Sequence, residues 1–223
     1  MPPIVSIVGK SSTGKTTFLE KLIREITDRG YKVATIKHSH HSISFDQPNK
    51  DSWRHAQAGA AATMVSSTTE IQVIKRVTWE LSIDELARNL GEDYDIILTE
   101  GFSRGSAPKV EIHRKEAGPL LENAQKLFAV VTDEPLETET KQFATDDVKG
   151  VVDLLEEKFI RPNLERVSLY VNGEAVPLSM DPHQIIDRVL TALSSSLKGG
   201  SNEIASLEFR YRTNQAIPKK MTK

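Results

Sequence analysis

The chain has 223 residues, a formal net charge of −2 and no cysteine. That length suits one α/β domain with a sizeable core and a small appendage. The near-balanced charge argues against nucleic acid as a partner, and the missing thiols exclude disulfides, thiolate zinc sites and a thiol nucleophile.

No apolar run approaches the roughly 20 residues of a membrane helix, so no membrane partner is expected. Met1-Pro2-Pro3 leads directly into the first predicted strand, leaving no room for a signal peptide, and the composition fits a reducing cytoplasm.

Ile4-Val5-Ser6-Ile7-Val8, β-branched and bounded by Pro3 and Gly9, reads as a buried strand. Gly9-Lys10-Ser11-Ser12-Thr13-Gly14-Lys15-Thr16 follows and fits the phosphate-binding pattern G-x-x-x-x-G-K-[ST] at every fixed position. Phe18, Leu19, Leu22, Ile23 and Ile26 then form one helical stripe, with Gly30 as the stop. Strand, glycine-bearing loop and helix are the context that this pattern requires. Unpaired N–H groups of the loop and the helix start would wrap a phosphate. Lys15 would reach the β- and γ-phosphates, and the Thr16 hydroxyl would ligate Mg²⁺.

Residues 32–37 read as the second strand, which makes a right-handed βαβ unit and a parallel sheet. The polar loop after it, running through His38, His40, His41 and Asp46, is expected beside the phosphate loop, since ligands sit at the carboxyl ends of such strands. A helix from Trp53 to about Ala61, capped by Asp51 or Ser52, comes next. Residues 63–67 and 71–75 read as strands joined by a turn, and Ser82 with Glu85 forms a capping box for a helix ending near Gly91.

Tyr94-Asp95-Ile96-Ile97-Leu98-Thr99-Glu100-Gly101 is an apolar strand ending in an acid. Glu100 would hold Mg²⁺, directly or through a water, or orient the attacking water. Residues 109–114 alternate like a half-buried strand, and 126–131 form another buried strand. Asp133 just after it could accept both N–H groups of guanine. Residues 143–145 form a short segment, and Asp146 or Asp147 caps a helix from Val148 to about Phe159.

From about residue 163 the pattern changes. Residues 167–171 and 174–178 flank Asn172-Gly173, the strongest hairpin signal in the chain. A helix is expected from Pro182, a strand at 207–212 and a disordered tail at 214–223. The expected organisation is therefore a nucleotide-binding α/β domain at 1–162 and a small α+β appendage at 163–213.

Several of these residues in this order and spacing resemble one family. They are the phosphate loop with Thr17, Ile36-Lys37-His38-Ser39-His40-His41, Asp46, Lys50-Asp51-Ser52-Trp53-Arg54, Glu100-Gly101-Phe102 and Thr132-Asp133. Over roughly residues 4–160 the chain is similar to the molybdopterin-guanine dinucleotide biosynthesis protein B (MobB) family. The resemblance implies a P-loop fold and a GTP-binding protein with weak GTPase activity. It also implies that the protein works as a homodimer with the guanylyltransferase that joins GMP to molybdopterin. Candidate nucleotide contacts are Gly9, Lys10, Ser11, Ser12, Thr13, Gly14, Lys15, Thr16, Thr17, Lys50 and Asp133. Thr16, Asp46 and Glu100 are the candidate Mg²⁺ ligands, and Lys15 and Glu100 the candidate catalytic groups. Lys10 sits where dimeric P-loop GTPases and ATPases often place a signature lysine.

Two other readings stay open. A P-loop small-molecule kinase would need an acceptor site and a basic lid, for which Arg104, Lys109, Arg114 and Lys115 are the nearby groups. A metallochaperone GTPase would use His38, His40 and His41, with His55, for Zn²⁺ or Ni²⁺.

Overall fold

The computed structural model describes residues 1–39, 50–122 and 124–164. Beyond them it describes three strands and the helical positions Gln184, Arg188, Val189 and Ala192. The first part of the chain runs β1 (Ile4–Val8), α1 (Lys15–Asp28), β2 (Val33–Lys37), α2 (Asp51–Gln57), β3 (Ala62–Ser66), β4 (Ile71–Lys75) and α3 (Ile83–Leu90). It continues with β5 (Ile96–Glu100), β6 (Lys109–Ile112), β7 (Leu127–Thr132), β8 (Lys141–Ala144) and α4 (Val148–Leu155). The last three strands are β9 (Arg166–Val171), β10 (Glu174–Val176) and β11 (Leu207–Arg212).

Six strands form one sheet in the order β2-β5-β1-β6-β7-β8, and every neighbouring pair is parallel. β1 lies inside this sheet and is buried at all five positions, which is what an unbroken apolar strand between two parallel neighbours requires. Odd positions Val5 and Ile7 share a core with Phe18, Leu19, Leu22 and Ile26 of α1 and with Val151, Val152, Leu154 and Leu155 of α4. On the other face, Ile4, Ala34 and Ile97 pack with Ile83 and Ala87 of α3. All strands of this sheet point the same way, so their carboxyl ends make one edge, with the phosphate loop near its middle.

Glu156, where α4 gives way to a π-helical turn, ties α1 to the end of the domain. Its carboxylate accepts hydrogen bonds from Arg29 at 2.9 Å, Tyr31 at 2.8 Å and Arg161 at 2.8 Å. Burial alone would raise its pKa, but these donors draw it below the usual carboxylate range.

Several expected elements are corrected. α2 starts at Asp51 and ends at Gln57; its N-cap is Lys50, with no side-chain cap bond, and Gly59 at φ +108° helps to turn the chain before Ala61. α4 is capped by Asp147, which accepts from the Gly150 N–H at 2.9 Å, and its α-helical part stops at Leu155. The short segment expected at 143–145 is a full edge strand, β8, starting at Lys141. β6 is not half-buried, since all four of its residues are buried. The predicted capping box of α3 is present in full.

β3 and β4 pair antiparallel as a separate two-stranded sheet. β10, β9 and β11 make a three-stranded antiparallel sheet, which contains the predicted hairpin strands and the predicted strand at 207–212. The Asn172-Gly173 turn, most of the helix expected from Pro182 and the tail at 214–223 lie outside the described residues.

Candidate nucleotide site

The loop after β1 has three positions with positive φ: Gly9 at +143°, Ser12 at +62° and Gly14 at +87°. Gly9 is required by space as well as by conformation. A Cβ there would lie 2.3 Å from the Ile112 carbonyl oxygen, so β1 and β6 approach each other through it. The Thr13 hydroxyl donates to the Lys10 carbonyl at 3.0 Å and pins the curl. Lys15 opens α1 and folds its ammonium back onto the same carbonyl at 2.5 Å. Burial lowers its pKa; Glu100 opposes that shift and Lys37 adds to it.

Thr16 and Glu100 stand 84 residues apart, yet the Thr16 hydroxyl donates to Glu100 Oε1 at 2.8 Å. The parallel pairing of β1 with β5 produces this meeting by bringing both strand ends to one edge. The other carboxylate oxygen lies 3.4 Å from Lys37 Nζ, and Lys37 is the register partner of Glu100 in the β2–β5 pair. A hydroxyl and a carboxylate are hard oxygen donors, the set that suits Mg²⁺. Ser11 and Thr17 are exposed in this part of the chain. Lys50 lies at the start of α2, and Asp46, His40 and His41 lie outside the described residues.

Lys10 points away from the curl and donates to the Ala117 carbonyl at 2.9 Å. That carbonyl belongs to a short turn, Lys115–Ala117, anchored by Asp133. The Asp133 carboxylate accepts from the Lys115 N–H at 2.9 Å, so one of the oxygens expected to read guanine already has a structural donor.

His38 packs its ring on Phe102 at 4.9 Å between centroids and approaches Glu80 at 3.4 Å. Among the described residues, no three His, Asp or Glu side chains gather as a metal centre.

Arg114, named above as a basic-lid candidate only, is a direct neighbour of the phosphate loop. A Cβ at Gly14 would lie 3.5 Å from its Nη2, which puts a guanidinium over the start of α1. The available signal was position, because Arg114 lies two residues past the end of β6, and β6 pairs with β1.

Lys109, another of those lid candidates, is not available to a lid, because it belongs to a fully buried polar row on β6 that the sequence did not reveal. Lys109 donates to the carbonyls of Gly105 at 2.6 Å, Ala107 at 2.9 Å and Gln125 at 2.9 Å. Glu111 accepts from the Leu121 N–H at 2.9 Å, and His113 Nε2 lies 2.9 Å from the Gly118 carbonyl. The segments before and after β6 are thus held to the sheet by polar side chains.

Burial raises the pKa of Glu111, against the lowering effects of the Leu121 N–H, His113 and Lys10. Its second oxygen is buried without a hydrogen-bond partner. A folded-state pKa above the unfolded one means that the native state binds more protons between the two values. Stability from this group is then present at low pH and lost as pH rises through the folded pKa. Glu111→Gln is therefore expected to gain about 1 kcal/mol over the parent at about pH 8 and nearly nothing at about pH 3, below the unfolded carboxyl value. Urea unfolding at the two pH values measures this, and a pH-independent difference would contradict it.

A parallel sheet flanked by helices, with a phosphate-loop sequence turning from its inner strand into a helix, defines a protein of the P-loop NTPase class. The family model described as Molybdopterin guanine dinucleotide synthesis protein B matches residues 4–133, and the chain belongs to that family. It is 35% identical over 156 residues to the molybdopterin-guanine dinucleotide biosynthesis adapter protein of Haemophilus influenzae, covering 69% of this chain and 88% of that one. The Escherichia coli adapter protein is 34% identical over 169 residues, covering 73% and 97%. Among solved structures, Bacillus subtilis MobB matches with a TM-score of 0.56 and 30% identity, covering 70% of this chain and 98% of that chain.

Proposed function

We propose that this protein is a GTP-binding adapter, with slow Mg²⁺-dependent GTPase activity, that serves the guanylyltransferase of molybdopterin guanine dinucleotide synthesis. The accessory role in that synthesis follows from the family. The observation that carries the nucleotide part is the meeting of Thr16 with Glu100 beside the Lys15 ammonium.

In this reading the N–H groups of the Gly9–Gly14 curl cradle the phosphates. Lys15 leaves the Lys10 carbonyl for the β- and γ-phosphate oxygens. Thr16 and Glu100 would hold Mg²⁺, which would supply neutralisation of the phosphate charge. Arg114 adds a second cation at the mouth of the loop. Glu100 is already engaged by Thr16 and Lys37, so it orients and holds rather than acting as a strong base, and slow turnover is expected. Asp133 selects guanine by releasing the Lys115 N–H or by using its other oxygen.

The test is calorimetric titration with GTP and ATP, each with and without Mg²⁺. Mg²⁺-dependent preference for GTP supports the reading; preference for ATP removes the guanine role of Asp133 and favours the kinase alternative.

The working form is a homodimer closed through the β3–β4 hairpin. Met64 and Val73 face each other across this hairpin and Ile71 lies on the same side, with relative exposures of 63%, 55% and 67%. An isolated two-stranded sheet is marginal in water, and a second copy presenting the same face would cover it. Val73→Lys is expected to convert the dimer to monomer in analytical ultracentrifugation at micromolar concentration, while a Val73→Lys protein that still sediments as a dimer would exclude this face.

A further inference from the structure

A cavity of about 860 Å³ lies between the end of β2, the turn after β5 and the start of α3, and the reading above does not use it. His38, Phe102, Glu80, Asp84 and Arg104 are in its walls. Phe102 has φ +57°, unusual for a residue with a side chain, and follows Gly101 at φ +101°. This turn sets the Phe102 ring against His38 at 4.9 Å. A Cβ on Gly101 would lie 3.3 Å from His38 Cβ, so glycine allows the aromatic pair to close. The first turn of α3 is already capped by Ser82 and Glu85, and the helix does not need the Asp84 carboxylate as its cap. Arg104 and Ser103 also line a smaller cavity, of about 320 Å³, that has Lys10 of the phosphate loop in its wall.

An aromatic wall, two carboxylates and a guanidinium match a flat heterocycle that is rich in N–H donors and carries an anionic ester. A carboxylate can accept two adjacent N–H donors of a 2-amino-4-oxopyrimidine edge, which guanine and pterin share. The strand order separates the two sources. Asp133 follows β7 on one side of β1, whereas this cavity lies at the ends of β2 and β5 on the other. A guanine nucleotide held at the phosphate loop cannot place its base at both.

The geometry points to this cavity as the site of a second ligand, the ring of a phosphorylated pterin, bound together with the nucleotide. Glu80 and Asp84 would read the amino edge, Phe102 and His38 would support the ring face, and Arg104 would take the phosphate. The inference rests on the adapter reading, since the family's product joins a pterin to a guanine nucleotide. It places both components on one edge of the sheet.

The test is fluorescence anisotropy of the full chain titrated with 6-hydroxymethylpterin monophosphate, alone and with a saturating non-hydrolysable GTP analogue. Expected is one-to-one binding that survives the nucleotide. Arg104→Ala should weaken the phosphate ester about tenfold and the unphosphorylated pterin much less. Glu80→Gln with Asp84→Asn should weaken both about tenfold and abolish preference over the lumazine analogue, which lacks the 2-amino group. Competitive displacement by the nucleotide would assign the cavity to guanine and overturn the proposal. Absence of pterin binding, or unchanged affinity in both variants, would also overturn it. GTP binding and stimulation of the guanylyltransferase, measured on the same preparations, report on the adapter reading separately. If they hold while the pterin fails, only this inference falls.

Discussion

Lys15→Ala is expected to raise the dissociation constant for GTP roughly 100-fold, equivalent to about 3 kcal/mol, and to leave the fold intact. Among the described residues the side chain donates to the Lys10 carbonyl, which Thr13 also satisfies. Removing it therefore orphans no acceptor. What is lost is a charge-assisted contact to the phosphates in a site where burial already disfavours the ammonium and a bound anion would restore it. Calorimetric titration measures the affinity and thermal unfolding the stability. Unchanged GTP affinity would remove the phosphate role of Lys15. A large drop in melting temperature would make Lys15 a structural residue instead.

Lys109→Met is expected to destabilise the protein by about 3–5 kcal/mol, with no direct contact to nucleotide involved. Methionine keeps most of the volume, so packing changes little. The three carbonyls of Gly105, Ala107 and Gln125 lose their common donor in a place where the side chain is fully buried. Two of these belong to the turn between β5 and β6 and one to the segment before β7, so both would loosen together. Urea unfolding gives the magnitude, and hydrogen exchange at residues 102–108 and 121–126 shows where protection is lost. A cost below about 1 kcal/mol would mean that desolvation of the ammonium cancels its hydrogen bonds, since burial also lowers its pKa.

These two lysines differ in how far the sequence reveals them. Lys15 belongs to a contiguous loop whose chemistry depends on neighbours along the chain, and so does the capping box of α3. Glu100 was legible because an apolar strand ending in an acid and glycine has one sense in a parallel sheet. Its partner Thr16 follows once both strands are known to be parallel. Lys109, offered above to a basic lid, stands with Glu111 and His113 as every second residue of a strand, a pattern that normally marks a face open to water.

The phosphate loop, the parallel sheet, the acid at the end of β5 and the family resemblance are readable from residue order, because each rests on local spacing or strand order. Only the folded chain shows that the polar row of β6 is buried, that Arg114 stands beside Gly14, and that Asp133 is tied to Lys115. It also formed the cavity between β2, β5 and α3. The β6 row and the tie of Asp133 to Lys115 share one cause. The segments covering β6 carry no helical or strand periodicity, and they are held by backbone carbonyls and N–H groups, which every residue possesses. Contacts to such groups leave no mark in the sequence, and folding alone brings them into place.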